Sequence, residues 1–465
     1  TLLMKVNVSF RALSIVLPYF CETLRISRVY FSFIFCFVWG TMKQYLLSMG
    51  LVCLIAIGEM AAQTEPYING RLDVDNRGIS FMNKDSTMLV IMRFRMQALA
   101  QTETVSDEDL STSRENWVLR RLRLRFGGFL TDPRLTYNIQ LSFTRGDMDF
   151  ADTGFPNIVR DAVVYWNFDN NWQIGFGQTK LPGNRQRVVS SSEMQFAERS
   201  VVNNTFNIDR DFGFQGWYRN TIEGVGLNLR AAISNGDGRN TISTSGASAG
   251  GFCYTGRAEI LPFGAFTGGG DYFEGDVLRE KTPKLSVGAT YSVNSRMRRT
   301  MGQLGPELYT PTANSNNQLI STNTLLADAL LKYSGLALYG EYAMRDSKNN
   351  PVTKSANVDD RFVFLGTGIL AQASYCFPSM WEIVGRFAAV TPFERMNDTT
   401  LFSKRNLDAG RVALKETNIS VGVNKYINRH RIKINTEILY RIQENMIQDK
   451  ETKNFIARLN MELGI

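Results

Sequence analysis

The stretch Leu135–Phe143 reads LTYNIQLSF and alternates apolar with polar residues at every step. Successive side chains of a β-strand point to opposite faces. The odd-numbered residues are therefore expected on one face, and Thr136, Asn138, Gln140 and Ser142 on the other. This alternation predicts a strand with one apolar face and one polar face.

The same two-faced pattern recurs from residue 88 to residue 465. Sixteen such segments start near residues 88, 117, 135, 158, 172, 211, 224, 254, 284, 325, 336, 368, 380, 416, 431 and 454. An even number of strands with apolar faces of similar length predicts an all-β fold, a transmembrane antiparallel β-barrel of about 16 strands over residues 88–465. A soluble β-sandwich or propeller stays open as the alternative, although no internal repeat accompanies the segments.

Short and long connections alternate between these segments, as expected for short periplasmic turns and long external loops. The short ones fall at residues 131–134, 169–171, 220–223, 334–335, 378–379 and 428–430. The long ones fall at residues 99–116, 145–157, 178–210, 234–252, 294–323, 345–367, 391–415 and 442–453. Residues 262–283 break the alternation, because they are long where a turn is expected, and the sequence suggests no physical reason for it.

Composition excludes several other classes of protein. Five Cys in 465 residues cannot supply a disulfide framework, and after residue 62 no apolar run reaches the length of about 18 residues that a membrane-spanning helix needs. His430 is the only histidine, so neither a His-rich metal site nor a hydrolase triad is expected. The chain is predicted to be no enzyme and to hold no metal or cofactor. A barrel enzyme with His430 as its base is the alternative, and the predicted turn around His430 argues against it.

The first residues of the chain do not share the strand pattern. Residues 42–62 combine Lys43, an apolar middle and small residues before Gln63, which predicts a secretory signal peptide. Residues 1–41 are interpreted as a doubtful upstream segment that arises from a misassigned start, and residues 63–87 as a periplasmic N-terminal segment. Together with the barrel, the signal peptide predicts export to the outer membrane of a Gram-negative-type cell and contact with its lipid.

The positions of the arginines indicate which face of the barrel contacts water. The run RRLRLRF, Arg120–Phe126, places Arg121, Arg123 and Arg125 on one face, and a neighbouring strand adds Arg93 and Arg95. Five arginines facing lipid at mid-depth would cost on the order of 10 to 20 kcal/mol, which exceeds the net stability of a typical domain. These five are therefore predicted to face the lumen. Parity places Arg120 and Arg160 on the lipid side, near the external strand ends, where the penalty is about 0 to 1 kcal/mol.

Guanidinium groups along a water-filled channel attract anions and offer forked donors to phosphate or carboxylate oxygens. A purely structural network, in which these arginines pair with Asp161, Glu259 or other lumen acids, is the alternative. Nucleic acid is not an expected partner, because the basic residues are spread over strands and do not form one outer patch.

Several stretches together resemble a known family of channels. They are RRLRLRFGG (120–128), GFGQTKLPGNRQR (175–187), FAERSVVN (196–203), RDFGFQG (210–216), AAISNGDG (231–238), GRF (385–387) and GVNKYINRHRIKI (422–434). In this order they resemble the phosphate-selective porin O and P family, over nearly all of residues 88–465.

The resemblance implies a sixteen-stranded homotrimeric porin whose third external loop narrows the lumen. That loop would be residues 178–210 and would carry Lys180, Arg185, Arg187, Arg199 and Arg210. It also implies that small anions such as phosphate pass along a ladder of arginines, for which Arg93, Arg95, Arg121, Arg123 and Arg125 are the candidates. We therefore predict a passive pore for small solutes with a preference for anions. The alternative is a surface attachment or glycan-binding barrel without channel activity, which would use the loops at 294–323 and 391–415.

Overall fold

The computed structural model describes residues 70–75, 78–147, 149–150, 156–241, 251–308, 320–354 and 359–465. The predicted upstream segment 1–41 and signal peptide 42–62 lie outside these residues. Within the predicted periplasmic segment 63–87, Gly70–Asp75 (β1) and Gly78–Asn83 (β2) form an antiparallel pair of strands.

Sixteen further long strands follow, which confirms the predicted number. They are β3 (Met88–Thr104), β4 (Thr112–Leu130), β5 (Leu135–Ser142), β8 (Val159–Asn167), β9 (Trp172–Lys180), β10 (Arg210–Ile222), β11 (Val225–Ser234), β12 (Cys253–Leu261), β13 (Lys284–Met297), β14 (Ile320–Tyr333), β15 (Leu336–Asp346), β18 (Gly366–Cys376), β19 (Trp381–Pro392), β20 (Lys415–Asn428), β21 (Ile432–Asn445) and β22 (Lys450–Gly464). Two short pairs lie in the loops, β6 (Asp149–Phe150) with β7 (Pro156–Asn157) and β16 (Val352–Thr353) with β17 (Arg361–Phe362).

Each long strand pairs antiparallel with the next, and β22 pairs with β3 to close the barrel. The closing register runs from Ile456 opposite Glu103 to Gly464 opposite Arg95. Strand β2 pairs with the beginning of β3, at Leu89–Met92. Strands β1 and β2 therefore extend the sheet at the end of the barrel where the short turns lie.

The two faces of the strands differ as the alternation predicts. In β13, Ser286, Thr290 and Ser292 point inward and are buried. Val287 and Tyr291 point outward and are 47% and 53% exposed. An apolar outer face and a polar inner face are what a barrel in a bilayer requires.

Two of the predicted long loops are in fact short. Strands β3 and β4 pair as far as Thr104 and Thr112, and β21 and β22 pair as far as Asn445 and Lys450. The polar residues of 99–116 and 442–453 had suggested loops. They continue the strands instead, because a ladder that stands above the membrane tolerates polar residues on both faces.

The described helices are short, and none is long and apolar enough to cross a membrane. They are the α-helices Arg185–Val188, Val201–Phe206 and Lys404–Asp408 and the 3-10 helices Thr267–Tyr272, Glu394–Asn397 and Thr399–Leu401.

Residues 178–210 fold into the lumen, and we call them the constriction loop. Its helix Val201–Phe206 buries Val202 and Phe206 against inward-facing apolar residues of the wall, Leu326, Leu330, Tyr339, Ala343, Leu370 and Ala388. The main hydrophobic core therefore lies inside the barrel, between the constriction loop and strands β14–β19.

Residues 262–283, the connection that the sequence left unexplained, also fold inward, and we call them the inner segment. Lys332 Nζ of β14 donates to the main-chain oxygens of Gly270 and Gly275, both at 2.6 Å. The inner segment also meets the constriction loop, since the main-chain N–H of Gln195 donates to Glu274 Oε2 at 2.9 Å. The connection is long because it fills the lumen from the turn end.

Candidate functional site

The constriction loop and the inner segment leave space on the side of the lumen that faces β4–β11. A cavity of about 240 Å³, which we call the central cavity, lies there between the wall and the constriction loop. Asp161 is the one carboxylate among its described lining residues. Eight lining side chains are cationic: Arg123, Arg125, Arg160, Lys180, Arg187, Arg199, Arg210 and Arg230.

Four of the predicted strand arginines stand opposite one another on adjacent strands. Arg93 is the register partner of Arg125, and Arg95 is the register partner of Arg123. Like charges directly opposite each other destabilise a sheet. The constriction loop offsets part of this repulsion, because Ser191 Oγ accepts hydrogen bonds from Arg95 Nη2 at 2.7 Å and from Arg123 Nη1 at 3.0 Å.

Arg121 lies further along β4 and is 2% exposed. Its Nη1 donates to Gln97 Oε1 at 2.6 Å and to the main-chain oxygen of Ala197 at 3.0 Å, and its Nη2 lies 3.5 Å from Glu198 Oε2. Burial by itself would raise the pKa of Glu198, but Arg121 and Arg120 outweigh burial and lower this pKa to about 2. Glu198 therefore stays charged and holds the loop against the arginines.

The prediction that Arg120 faces lipid is wrong, because a β-bulge interrupts the alternation. The pairing with β3 shifts between Arg121 and Leu119, which leaves Arg120 as the extra residue. An extra residue changes which face the following side chains occupy. The Arg120 side chain points inward and binds Glu198, with Nη2 at 3.0 Å from Oε2.

Arg160 was assigned to the lipid side by the same parity and is corrected for the same reason. Val159 and Asp161 pair with consecutive residues of β5, so Arg160 is the extra residue of a second bulge. Arg160 is 5% exposed, and its Nη1 donates to the main-chain oxygen of Asp147 at 2.8 Å.

Three arginine side chains surround the carboxylate of Asp147. Arg123 Nε donates to its Oδ2 at 2.7 Å, and Arg160 Nη1 lies 3.3 Å from its Oδ1. Arg120 Nη1 lies 3.9 Å from Oδ1, and the Ser142 hydroxyl donates to Oδ2 at 3.0 Å. Burial by itself would raise the pKa of Asp147, but Arg123 and Arg160 outweigh it and hold this pKa far below its usual range.

The constriction loop brings four of its five predicted residues to the central cavity, namely Lys180, Arg187, Arg199 and Arg210. Arg185 does not join them. It is 2% exposed, and it donates from Nε to Asp328 Oδ1 at 2.6 Å and from Nη2 to Ser286 Oγ at 2.7 Å. Arg185 therefore fastens the loop to the opposite wall.

Two of these loop cations are neutralised by carboxylates. Arg187 Nε donates to Asp209 Oδ1 at 2.6 Å. Arg210 binds both oxygens of Asp161, from Nε at 2.9 Å and from Nη2 at 3.0 Å. This part of the cavity wall matches the structural network that the sequence left open as an alternative.

The other four cavity cations form no ion pair with a carboxylate of the described residues; they are Arg125, Lys180, Arg199 and Arg230, of which Arg230 binds the hydroxyl of Tyr272. Lys180 Nζ and Arg199 Nη2 both donate to the main-chain oxygen of Val189, at 3.2 and 3.0 Å. Arg125 Nε donates to the amide oxygen of Asn138. Burial, together with neighbouring arginines, lowers the pKa of Arg199 well below its usual value. A guanidinium nevertheless keeps its proton in proteins, so Arg199 stays positively charged.

A second cavity of about 440 Å³ adjoins the central cavity, and Arg230 lines both. We call it the lower cavity. Asn170 and Asn171, in the turn between β8 and β9, also line it. The two cavities therefore extend from the constriction loop towards the end of the barrel where the short turns lie.

Some cavity residues were not picked out from the sequence although a signal was present. In β10, Gln215, Trp217 and Arg219 share the inward face, and Phe214 is 62% exposed on the outward face. The same alternation that identified the strand would have placed Trp217 in the lumen. No comparable signal exists for Arg120 and Arg160, because a bulge leaves no mark in the alternation.

His430 lies in the turn between β20 and β21, where it was predicted. Its ring packs between Phe273 of the inner segment and Tyr426, with centroid distances of 5.2 and 5.3 Å. Burial lowers the pKa of His430 well below its usual value, and Lys433 and Lys332 lower it further. The part of the chain that the structure describes contains no group of three or more His, Cys, Asp or Glu side chains placed to hold a metal ion.

Comparison with known proteins agrees with this architecture. Residues 90–318 match the family model described as phosphate-selective porin O and P. No curated protein sequence matches the chain.

Two solved structures are similar to this chain. The outer membrane channel DcaP of Acinetobacter baumannii aligns with a TM-score of 0.51 at 12% sequence identity, over 83% of this chain and 99% of that chain. The anion-selective porin from Comamonas acidovorans aligns with a TM-score of 0.46 at 11% identity, over 81% of this chain and 99% of that chain. The similarity to DcaP shows the same kind of barrel.

Proposed function

Since the chain is an outer-membrane porin whose residues 90–318 belong to the phosphate-selective porin O and P family, we propose that it is a passive channel that prefers small anions. The observation that carries this proposal is the charge of the central cavity, where eight cationic side chains and one carboxylate line about 240 Å³. A narrow, positively lined passage raises the local concentration of anions and excludes cations. Solutes move down their gradient, and no bond is made or broken.

Arg93, Arg95, Arg121, Arg123 and Arg125 form the proposed anion ladder. The register of β3 and β4 sets Arg93 beside Arg125 and Arg95 beside Arg123. Such like-charge pairs cost stability. Glu462 and Asp147 offset part of the charge of Arg95 and Arg123, and an anion between the guanidinium groups relieves the repulsion that remains. The guanidinium fork also fits two oxygens of a phosphate or carboxylate at once.

Lys180 and Arg199 are the proposed contact points on the constriction loop. Both bind main-chain oxygens and neither pairs with a carboxylate of the described residues, so their charge is available to a passing anion. A carbonyl oxygen neutralises a cation only in part. Phosphate is the favoured solute within the class of small anions, because the family model carries that preference in its description.

Planar-bilayer recording tests the proposal. In a KCl gradient the wild-type protein is expected to give stepwise conductance and a reversal potential that favours Cl⁻ over K⁺. The double variant Lys180→Gln/Arg199→Gln should lose a large part of this preference, and the ladder variant Arg121→Gln/Arg123→Gln/Arg125→Gln should also lower it. Arg134→Gln is the matched control, because Arg134 lies in an exposed turn and pairs there with Asp132.

A wild-type reversal potential at zero, or one that the cavity variants leave unchanged, contradicts anion selection. Binding to cells or glycans in the absence of any conductance would favour an attachment barrel instead.

We further propose that the protein is a homotrimer and that residues 42–62 are removed on export, leaving Gln63 as the first residue. The trimer follows from the resemblance to the family, and the cleavage follows from the apolar run between Lys43 and Ala61–Ala62. Light scattering in detergent tests the trimer, since a mass of one protomer contradicts it. Sequencing the N-terminus of the protein purified from outer membranes tests the cleavage.

A further inference from the structure

Two aromatic rings lie side by side on the inner wall of the central cavity. Tyr165 of β8 and Trp217 of β10 both line it, and their ring centroids are 5.2 Å apart at an interplanar angle of 37°. Both side chains are half-buried. Neither ring belongs to a hydrophobic cluster of the described residues, so core packing does not explain why these two rings face the lumen.

Gly175 of β9 lies between them and explains the position of the tyrosine ring. Tyr165 is the register partner of Gly175, which is itself opposite Gln215 of β10. A Cβ atom on Gly175 would lie 2.5 Å from Cδ1 and 2.7 Å from Cε1 of Tyr165. The missing side chain thus lets the Tyr165 ring lie across β9 towards Trp217.

Two arginines accompany the tryptophan. The Cζ atoms of Arg230 and Arg219 lie 5.5 and 5.6 Å from the Trp217 ring centroid, within the range of cation–π contact. Arg230 also binds the hydroxyl of Tyr272 in the inner segment, and that hydroxyl donates to Glu259 Oε2 at 3.0 Å. Aromatic and cationic groups therefore meet where the central and lower cavities adjoin.

Two donors at this place lack a hydrogen-bond partner among the described residues. They are the buried Nε1 of Trp217 and the buried Nε of Arg230. Buried donors in folded proteins are normally satisfied, so an unsatisfied pair beside a cavity calls for an explanation. A ligand that accepts hydrogen bonds and presents a ring would supply it.

We propose that Tyr165, Trp217 and Arg230 form a subsite for an anion that carries a six-membered ring. The phosphate or carboxylate group binds Arg230 and the cavity cations, and the ring stacks on Tyr165 and Trp217. This inference rests on the proposed anion channel and names its solute class more narrowly. A sugar phosphate and an aromatic carboxylate share the required chemistry.

Current block in planar bilayers tests the subsite. Glucose 6-phosphate and benzoate are added to KCl, with inorganic phosphate and uncharged glucose as reference solutes. At least one ring anion is expected to block at a concentration about tenfold below that of inorganic phosphate, and glucose is expected not to block. Trp217→Ala should remove the tenfold difference, and Trp217→Phe should retain it.

Two further variants separate the subsite from a general effect on folding. Gly175→Ala keeps both rings but displaces Tyr165, so the same loss of block is expected. Trp172→Ala removes an indole that is 53% exposed and lies outside the residues lining the cavity, so no change is expected. Heat-modifiable migration in gels identifies any variant that fails to fold.

The outcomes distinguish this inference from the one on which it rests. Block by glucose 6-phosphate alone assigns a sugar phosphate, block by benzoate alone assigns an aromatic acid, and block by both assigns ring-bearing anions in general. If neither blocks better than inorganic phosphate, or if folded Trp217→Ala is blocked like the wild type, the subsite is refuted while anion selection stands. A wild-type channel that does not prefer anions refutes the proposed function instead.

Discussion

Arg120 donates from Nη2 to Oε2 of Glu198 at 3.0 Å, and this bond ties a bulge in the barrel wall to the constriction loop inside it. The same carboxylate lies 3.5 Å from Arg121. The carboxylate of Glu198 thus offsets part of the positive charge of Arg120 and Arg121. The same contacts hold the constriction loop against the wall.

Replacement of Glu198 should therefore change selectivity. Glu198→Gln removes a negative charge beside two arginines, an interaction on the order of 1 kcal/mol per pair at 4 Å in water. A several-fold rise in the Cl⁻/K⁺ permeability ratio is expected in reversal-potential measurements. Glu193→Gln is the control on the same loop, because Glu193 accepts from Ser192 and contacts no wall arginine among the described residues. Equal ratios for the two variants would contradict this role.

A glycine on β18 should control the width of the channel. A Cβ on Gly368 would lie 2.8 Å from Phe206 and 3.1 Å from Val202, so Gly368→Val pushes the helix of the constriction loop off the wall. Overpacking of this kind costs about 1 to 3 kcal/mol. Single-channel conductance is expected to rise or to fluctuate. Gly385→Val on β19 should leave the trace unchanged, because a Cβ there meets no atom within 4 Å.

Lys332 should hold the inner segment in place. Lys332→Met leaves the main-chain oxygens of Gly270 and Gly275 without their donor, at about 1 to 3 kcal/mol for each unsatisfied group. Greater open-channel noise and faster proteolysis of residues 262–283 are expected. Lys284→Met provides the comparison, since Lys284 is half-buried and its side chain donates to the main-chain oxygen of Phe263, near the start of the inner segment, and not to the glycines that Lys332 binds. A quiet, protease-resistant Lys332→Met channel would show that the segment is held by other contacts.

Acid should destabilise the barrel through His430. Burial first, and then the charges of Lys433 and Lys332, hold the pKa of His430 in the folded protein well below the value of about 6.5 that is usual for histidine. Below pH 6.5 the unfolded chain therefore binds a proton that the folded protein does not. Above pH 6.5 His430 is neutral in both states, so its titration does not change the free energy of unfolding. Below pH 6.5 the free energy of unfolding falls by up to about 1.4 kcal/mol per pH unit.

The measurement is the midpoint of heat-induced unfolding in detergent between pH 8 and pH 5. His430→Phe keeps an aromatic ring beside Phe273 and Tyr426 but cannot titrate. Its midpoint is expected to fall less on acidification than that of the wild type. Parallel pH profiles for the two proteins would exclude His430 as the cause.

The number of strands and the orientation of their faces were accessible from the sequence, because alternation is a local property. Stretches such as Leu135–Phe143 and Phe455–Ile465 each reveal their two faces without reference to any other strand. The inward path of residues 178–210 was an expectation from the resemblance to a family and not from alternation, and the sequence does not reveal which of the loop's cations pair with carboxylates. Arg185 reaches Asp328, 143 positions away, and only the closed barrel brings the two together.

The misplaced arginines and the unexplained connection have a common physical cause. A bulge at Arg120 or Arg160 depends on the register with a neighbouring strand, which a single segment does not encode. The inward fold of residues 262–283 likewise depends on Lys332, which lies on a later strand. The local alternation predicts which residues lie on each face of a strand. Contacts between distant segments decide which charged side chains lie next to one another.

The seam between β3 and β22 has a consequence for biogenesis. It joins residues as far apart as Arg95 and Gly464, so almost the whole chain must be made before the last ladder can form. Contacts this distant form slowly, and hydrocarbon cannot solvate the unpaired amide groups along two open strand edges. A translation product that stops before residue 450 lacks β22, so its barrel cannot close at this seam. The last strand of the chain therefore decides whether the unpaired edges of β3 and β21 are both covered, as a barrel in hydrocarbon requires.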